Sequence, residues 1–388
     1  MQAWLLQVMT DMWGPIPLAE ALQGQSDGNF SPSYNSGADV YTAIVDSLTS
    51  ASNNIVVGEA ALSSGDLLYS GDMSKWKKFA NSLKLRIAMR AASRPDAPAT
   101  SLDGQVETWM QEALSAGVFE GNADNALLSF SNSPPYQNPF YDNRIVDGRR
   151  DWAAPQSILG VMNDLEDPRR EAYFSDADPD TEGNQFVGFP YGLPQGEAQS
   201  LFTSSNFSIP SDRVASTATA PAILMLYDEV EFIKAEIAVR SDLSVSAASG
   251  SAQDYFENAL RGSMEYWGVS DDQEQDDYIA NVGALTPNNF RQKLGTQKWL
   301  AQYLQGVQGW STWRRLDFTG VLQVPSGDPG SAAFGKEIAV RMVYPNDEFT
   351  LNESNVTSAI SNQLGGGGAS EDSQGVLLWW DTEYVSPQ

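Results

Sequence analysis

Apolar residues recur at helical spacing along most of this 388-residue chain, and no other feature constrains its fold as strongly. Ser36 and Asp39 form a capping box just before one such stripe, which predicts that a helix begins there. Ser74 is expected to cap the next helix, and Thr286, followed by Pro287, is expected to cap a later one. The apolar stripes lie within residues 4–12, 41–48, 76–87, 109–114, 223–237, 255–260 and 290–304. The chain is therefore predicted to be mainly α-helical.

Glycine, proline and acidic residues mark the ends of several predicted helices. Gly117 and Gly268 are expected to end the helices before them, because glycine is favoured just past a helix C-terminus. Pro221 suits the first turn of the helix predicted over residues 223–237. The acidic run 271–277 looks like a metal cluster. It is better explained as a helix start capped by Ser270, since the helix dipole favours acids there.

The composition excludes whole classes of catalytic site. The chain has no histidine and no cysteine, so it can have no Ser-His-Asp triad, no thiolate nucleophile, no disulfide and no imidazole-held metal. Acid–base chemistry would have to use Asp, Glu, Lys or Tyr. The formal net charge of −27 argues against nucleic acid as a partner, because phosphate binding needs a basic surface. Such acidity is typical either of adaptation to high salt or of an ordinary soluble acidic protein.

Two charged segments have both a functional and an ordinary explanation. Residues 75–94 hold seven of the 23 basic residues and could dock an acidic partner, although a solvated or intramolecularly paired helix face is favoured. Asp176, Asp178 and Asp180 resemble the start of a calcium loop. The glycine and glutamate that an EF-hand needs at its sixth and twelfth positions are missing, so a solvated acidic turn is favoured.

Two long stretches, residues 131–153 and 175–218, have no regular periodicity and are rich in Pro, Gly, Asn and Ser. Loops of this length are uncommon inside compact domains and are often functional. Their aromatic residues lie among amides and carboxylates, a mixture that suits carbohydrates or other small polar ligands. For each aromatic residue, the alternative is that it only packs its own loop against the scaffold. The predicted stacking residues are Tyr136, Tyr141, Trp152, Phe189 and Tyr191, and the predicted hydrogen-bonding residues are Asn138 and Asn143.

The amino-terminal region predicts neither a membrane span nor a signal peptide. No stretch of the chain reaches the roughly 18 consecutive apolar residues that indicate a transmembrane helix. The first basic residue is Lys75, so the positive region of a signal peptide is missing. Residues 4–12 are instead expected to belong to a helix.

Five segments carry a resemblance to a known family. The most specific is GDMSKWKKFANSLKLR at residues 71–86. The others are DMWGPIPLAEA at 11–21, EVEFIKAE at 229–236, QKW at 297–299 with WSTWRR at 310–315, and RMVYP at 341–345 with WWD at 379–381. Together they resemble the SusD/RagB family of outer-membrane nutrient-binding lipoproteins, in particular its SusD-like branch.

The resemblance implies tetratricopeptide-like helical hairpins that support an irregular, loop-rich ligand-binding lobe. It implies one domain over residues 1–388, with the scaffold mainly in 1–120 and 220–316 and the lobe mainly in 121–219 and 317–388. The family usually carries a signal, a lipidated cysteine and further opening helices, so this chain is expected to be amino-terminally truncated. The residues expected to be structural are Trp76, Trp310, Trp313, Arg314, Arg315, Trp379 and Trp380.

The resemblance also implies a function. Members are binding proteins rather than enzymes, and they are held at the cell surface by a lipid anchor in the outer membrane. They capture oligosaccharides or other nutrients and pass them to a TonB-dependent transporter, without a cofactor or metal. Two alternatives stay open at this stage: a glycoside hydrolase that uses a carboxylate pair on a helical scaffold, and a scaffold subunit without its own ligand.

Overall fold

The computed structural model describes residues 1–59, 64–92, 98–149, 151–177, 185–202, 206–325, 338–366 and 368–386. Longer helices form the frame, and the prediction of a mainly α-helical chain is confirmed. These helices are α1 (Gln2–Trp13), α2 (Gly37–Asn54), α3 (Met73–Ala91), α4 (Asp103–Ala116), α5 (Tyr227–Val239), α6 (Ala252–Tyr266), α7 (Asp272–Val282), α8 (Phe290–Ala301) and α9 (Gly306–Leu316).

Shorter elements fill the stretches between and after these helices. The short helical segments are Gly24–Asp27, Asn122–Asp124, Pro139–Tyr141, Asp142–Val146, Gln156–Asp164, Arg170–Tyr173, Gln195–Leu201, Asp212–Ala215, Asn346–Leu351, Glu353–Asn362 and Leu364–Gly366. Two antiparallel strand pairs join Ile16–Pro17 to Tyr34–Asn35 and Ala126–Leu128 to Ala222–Met225. Among the described ranges, no helix has both the length and the apolar character that crossing a membrane requires.

Several helix boundaries agree with the sequence. The Ser36 hydroxyl accepts a hydrogen bond from the Asp39 amide at the start of α2, as the capping box predicts. Gly117 follows the last residue of α4, and Gly268 lies just beyond α6, each with a positive φ that suits glycine. The apolar stripes of these helices face inward, so that Ile44, for example, is buried.

Three predicted caps are wrong by a few residues. Asp72 rather than Ser74 caps α3, because its carboxylate accepts from the amides of Ser74 and Lys75 at 2.9 and 3.2 Å. Asp271 rather than Ser270 caps α7. Helix α8 begins after Asn289, whose side chain accepts from the Thr286 amide, so residues 286–289 form a turn before the helix. At α3 and α7, an aspartate near the expected serine makes the capping hydrogen bonds.

The helix predicted to begin near Pro221 starts later than expected. Residues Ala222–Met225 form a strand that pairs with Ala126–Leu128, and α5 begins only at Tyr227. The apolar spacing of Ile223 and Leu226 fits a helix locally, but pairing with a distant strand overrides that preference.

Helices that follow one another in sequence pack together, and further contacts join the resulting groups. Helix α1 packs on α2, α2 on α3 and α3 on α4, while α5 packs on α6 and α8 on α9. Contacts of α5 with α3 and of α1 with α9 then link the first half of the frame to the second. One apolar core lies among the first four helices and a second lies among the later ones.

A buried ion pair connects the two halves of the frame, and other pairs from the basic segment over residues 75–94 lie within the first half. Arg86 in α3 donates two hydrogen bonds to Glu229 in α5, at 2.9 and 2.6 Å, with both side chains buried. Arg90 pairs with Asp11 in α1, and Lys84 pairs with Glu112 in α4. The interpretation of an intramolecularly paired helix is confirmed for these residues. Of the aspartates that suggested a calcium loop, Asp178 and Asp180 lie outside the described residues.

Candidate functional site

Three of the predicted stacking residues lie around one open cavity of about 720 Å³, which we call the aromatic cavity. Its volume falls within the roughly 300–1,000 Å³ that is usual for small-molecule sites. The described residues that line it are Asp151, Trp152, Ala153, Pro155, Phe189, Pro190, Tyr191, Gly192, Leu193, Ala198, Gln199 and Phe202. The structure thus brings Trp152, Phe189 and Tyr191 together from two separate irregular stretches.

Backbone hydrogen bonds hold these two stretches side by side. The Phe189 amide donates to the Ala154 carbonyl at 2.7 Å, and the Gln156 amide donates to the Phe189 carbonyl at 2.9 Å. A β-carbon on Gly188 would lie 2.3 Å from the Cα of Gln156, so only glycine permits this approach. The wall that carries Trp152 and Phe189 is therefore a paired backbone rather than a loose loop.

A second glycine positions Tyr191. Gly192 has a φ of +75°, and a β-carbon there would lie 2.4 Å from the Cβ of Pro325. This close approach places the turn after Tyr191 directly against residue 325. The turn that follows Tyr191 therefore packs against the later part of the chain.

The aromatic cavity combines packed rings with partly exposed ones, which offer surface to a ligand. Phe189 contacts Phe202 and Phe207 with centroid distances of 5.6 and 4.9 Å, both nearly perpendicular. Trp152 is 38% exposed and Tyr191 is 56% exposed, so much of each side chain can meet a ligand. The exposed part of each ring is apolar and can stack on a ligand.

Few of the described residues that line the aromatic cavity carry polar groups. Asp151 is the only acid among the described lining residues, and it forms an ion pair with Arg149 on the surface. Gln199 comes from the short helix Gln195–Leu201 and adds an amide that can both donate and accept. The arrangement can stack and hydrogen-bond a neutral polar ligand.

The other predicted ligand residues lie apart from this cavity. The Asn138 side chain is 5% exposed, accepts from the amides of Phe140 and Tyr141, and donates to the Ala220 carbonyl at 2.7 Å. Its hydrogen-bonding groups are therefore used within the chain. The described residues that line the aromatic cavity do not include Tyr136, Tyr141 or Asn143. Tyr136 is largely exposed. Their role as ligand contacts stays a prediction.

Phe202 and Gln199 are two lining residues that were not among the predicted ligand contacts. Phe202 and Gln199 lie ten or so residues after Phe189, and neither has a distinctive local motif. The only sequence signal for Phe202 is that it is one more aromatic residue in the same irregular stretch. Gln199 reaches the cavity because residues 195–201 turn into a short helix, which the sequence did not predict.

The residues expected to be structural lie away from the aromatic cavity, most of them in the helical frame, with Trp379 and Trp380 in the carboxyl-terminal region. The buried guanidinium of Arg314 lies between two indoles, 3.8 Å from the Trp310 centroid and 4.7 Å from the Trp380 centroid. It also donates to the carbonyls of Val340 and Asp11 at 2.8 and 2.9 Å. Burial lowers the pKa of Arg314 to about 10, so it remains charged at neutral pH. These contacts tie α9 to α1 and to the carboxyl-terminal region.

The remaining members of that set have similar surroundings. Arg315 pairs with Glu236, and Trp313 is almost fully buried. The Trp379 ring packs edge-on against Tyr41 at 5.0 Å. The Trp76 indole donates to Asp66 at 2.8 Å. These contacts are consistent with a structural role, which remains a prediction until tested by substitution.

Comparison with known proteins identifies the family. Residues 1–345 match the SusD-like family that is described as "Starch-binding associating with outer membrane". The chain belongs to this family. A search of curated proteins found none that matches it.

Solved structures of SusD-like proteins share the fold. A protein named as a chitin-binding protein superposes with a TM-score of 0.80 at 26% identity, covering 98% of this chain and 79% of its own. A SusD homologue from Bacteroides uniformis also gives 0.80 at 26% identity, covering 97% and 79%. A SusD-like protein from Bacteroides thetaiotaomicron gives 0.78 at 26% identity, covering 98% and 79%. The resemblance stated from the sequence motifs is therefore confirmed.

Proposed function

We propose that this SusD-like protein captures oligosaccharides in the aromatic cavity, without cleaving them, and passes them to a TonB-dependent outer-membrane transporter. The observation that carries the proposal is the meeting of Trp152, Phe189 and Tyr191 around one cavity of ligand size. The apolar faces of sugar rings stack on such side chains, while Gln199 and Asp151 can hydrogen-bond hydroxyl groups. The family's starch-binding description and the chitin-binding name of one relative support a glycan as the ligand.

Under the proposal, one part of the chain binds the ligand and another part maintains the fold. Described lining residues from Asp151 to Phe202 fall within residues 121–219, the range expected to form the loop-rich lobe. The family-like motifs lie mostly in the helical frame, where Arg86, Arg90 and Arg315 form buried ion pairs. A fixed frame with a variable lobe would allow relatives to share a fold and differ in ligand.

The presence of one acid among the described residues that line the aromatic cavity argues against the hydrolase alternative. Glycoside hydrolysis uses two carboxyl groups about 5–10 Å apart on either side of the bond that is cleaved. Among the described lining residues, Asp151 has no second acid beside it, and Arg149 neutralises its charge. A binding site without a tuned acid–base pair is the arrangement that the proposal requires.

Calorimetry with malto- and chito-oligosaccharides tests the binding step. We expect Trp152→Ala to weaken binding by about 1–3 kcal/mol, the range for an aromatic anchor, which is roughly 5- to 150-fold in Kd. Phe30→Ala is the matched control, because Phe30 is a largely exposed phenylalanine outside the cavity. If the wild-type protein binds neither series, the glycan proposal is wrong and the scaffold-subunit alternative gains support.

The same mixtures can be assayed for new reducing ends. The proposal requires that bound oligosaccharides are recovered intact after prolonged incubation. Sustained release of reducing ends that disappears in Asp151→Asn would instead establish a hydrolase.

Delivery to a transporter and attachment at the cell surface need separate tests. Association of the family with the outer membrane supports both steps. We expect the protein, isolated under mild detergent from outer membranes of its own host, to bring a TonB-dependent transporter with it. Recovery from that membrane without any such transporter would contradict the delivery step and leave the binding proposal intact.

A further inference from the structure

A second cavity of about 580 Å³ lies beside the strand pair formed by Ala126–Leu128 and Ala222–Met225. Its lining is mostly apolar and includes the aromatic rings of Phe130, Phe140 and Tyr266. Thr217 and Thr219 lie at its exposed edge. We call it the second cavity, and its combination of an apolar interior with hydroxyl groups at the edge matches the two kinds of surface on a sugar ring.

One aromatic contact joins the second cavity to the aromatic cavity. Phe140 lines the second cavity, and its ring packs edge to face on Trp152 with a centroid distance of 4.8 Å. Trp152 in turn lines the aromatic cavity. The two cavities are therefore neighbours that share a wall made of two rings.

Asn138 holds this shared wall in place. Its side chain caps the short helix Pro139–Tyr141 that carries Phe140. Its backbone amide donates to the Ala218 carbonyl at 2.8 Å, and its side-chain amide donates to Ala220. The same residue thus fixes both Phe140 and the loop that forms the edge of the second cavity. Asn138 is a positioning residue for the pair of cavities.

The charges around the second cavity favour a neutral ligand. Arg213 is the only charged side chain among its described lining residues. Its guanidinium donates to the carbonyls of Tyr266 and Trp267 and lies 5.3 Å from the Trp267 ring centroid. That charge is already used in contacts within the protein, so an anionic ligand would gain little attraction from it. The strongly acidic protein as a whole would repel such a ligand.

We propose that the second cavity is an extension of the aromatic cavity, so that one neutral oligosaccharide chain crosses the Phe140–Trp152 wall and occupies both. This inference rests on the proposed function and adds to it the length of the ligand. A short oligosaccharide fills only the aromatic cavity, whereas a longer one gains contacts with Phe130, Phe140 and the threonine hydroxyls.

A chain-length series tests the inference. Chito- and malto-oligosaccharides of two to six residues are titrated into wild-type protein, Thr219→Trp and the control Phe30→Ala. In the wild type, we expect the Kd of the series that binds to fall by about tenfold or more between the shortest and longest members. Thr219→Trp adds bulk at an exposed position of the second cavity without removing any packed side chain, so it should abolish that gain and retain affinity for the shortest ligand.

Phe130→Ala provides an independent variant, since it removes a ring from the cavity instead of filling it. It should also flatten the dependence on chain length, and circular dichroism should show that both variants keep their helical content. If wild-type affinity is the same for short and long members, or if the gain survives in both variants, the inference is overturned and the proposed function stands. If no oligosaccharide of either series binds, both are overturned.

Discussion

Replacing Glu236 by glutamine should expose how much the buried ion pairs contribute to stability. Glu236 in α5 is fully buried and accepts two hydrogen bonds from Arg315 in α9, one of them at 2.7 Å. Arg240 adds a third contact at 3.3 Å. Burial by itself would raise the pKa of Glu236, but the charges and hydrogen bonds of these arginines outweigh it and lower that pKa to about 2.

The size of the effect follows from this pKa. A fall from the reference value of 4.5 to about 2 corresponds to about 3 kcal/mol of stabilisation, since each pKa unit is worth about 1.4 kcal/mol. Removing one partner of a buried pair costs about 3–5 kcal/mol, because the remaining charge is left without compensation. We therefore expect Glu236→Gln to lower the free energy of unfolding by about 3 kcal/mol or slightly more at pH 7.

Urea unfolding at several pH values measures this difference. Because the folded-state pKa of Glu236 is depressed, its contribution is complete above about pH 4.5 and is lost as the pH falls towards 2. The gap between wild type and variant should therefore be constant from pH 7 to about pH 5 and should narrow below that. Glu120→Gln is the matched control, because Glu120 pairs with Lys78 but its side chain is 76% exposed, and exposed pairs contribute about 0–1 kcal/mol. Equal losses in the two variants, or a gap that does not change with pH, would refute the reasoning.

Three further outcomes are expected. Arg314→Ala should lower the Tm by several degrees and leave ligand affinity nearly unchanged, because Arg314 stacks between Trp310 and Trp380 in the frame; calorimetry showing lost affinity at unchanged Tm would contradict this. Molar NaCl should raise the Tm by screening the repulsion of a chain with a net charge of −27, and a Tm that stays flat across the salt range would count against it. Gly188→Ala should cost more free energy of oligosaccharide binding than of unfolding, because the added β-carbon forces residues 187–190 away from Gln156. Unchanged affinity would show that this backbone contact does not position Phe189.

The sequence predicted most of the helical frame, although not α9, because the other helices follow their own local patterns. The stripe after Ser36 and the glycine after α4 contain enough information to place an element within a few residues. The strand Ala222–Met225 could not be predicted in this way. Its conformation depends on pairing with Ala126–Leu128, almost a hundred residues earlier, and its apolar residues fit a helix equally well when taken alone.

The candidate site was predictable in composition but not in geometry. Aromatic residues in irregular stretches pointed to Trp152, Phe189 and Tyr191, and the structure brings these three together. No local sequence feature distinguishes these three residues from Tyr136. They lie together because their backbone segments pair, and local sequence does not show that pairing. Asn138 shows the same limit, since an asparagine in a loop can bind a ligand or cap a helix, and only the fold decides between these uses.

A crystal structure of the protein with a bound chito- or malto-oligosaccharide tests the central claim most directly. The account requires sugar rings in the aromatic cavity, with at least one ring stacked on Trp152 or Tyr191 and a hydroxyl group within hydrogen-bonding distance of Gln199. A sugar bound on another surface, with the aromatic cavity empty at saturating ligand, would contradict it.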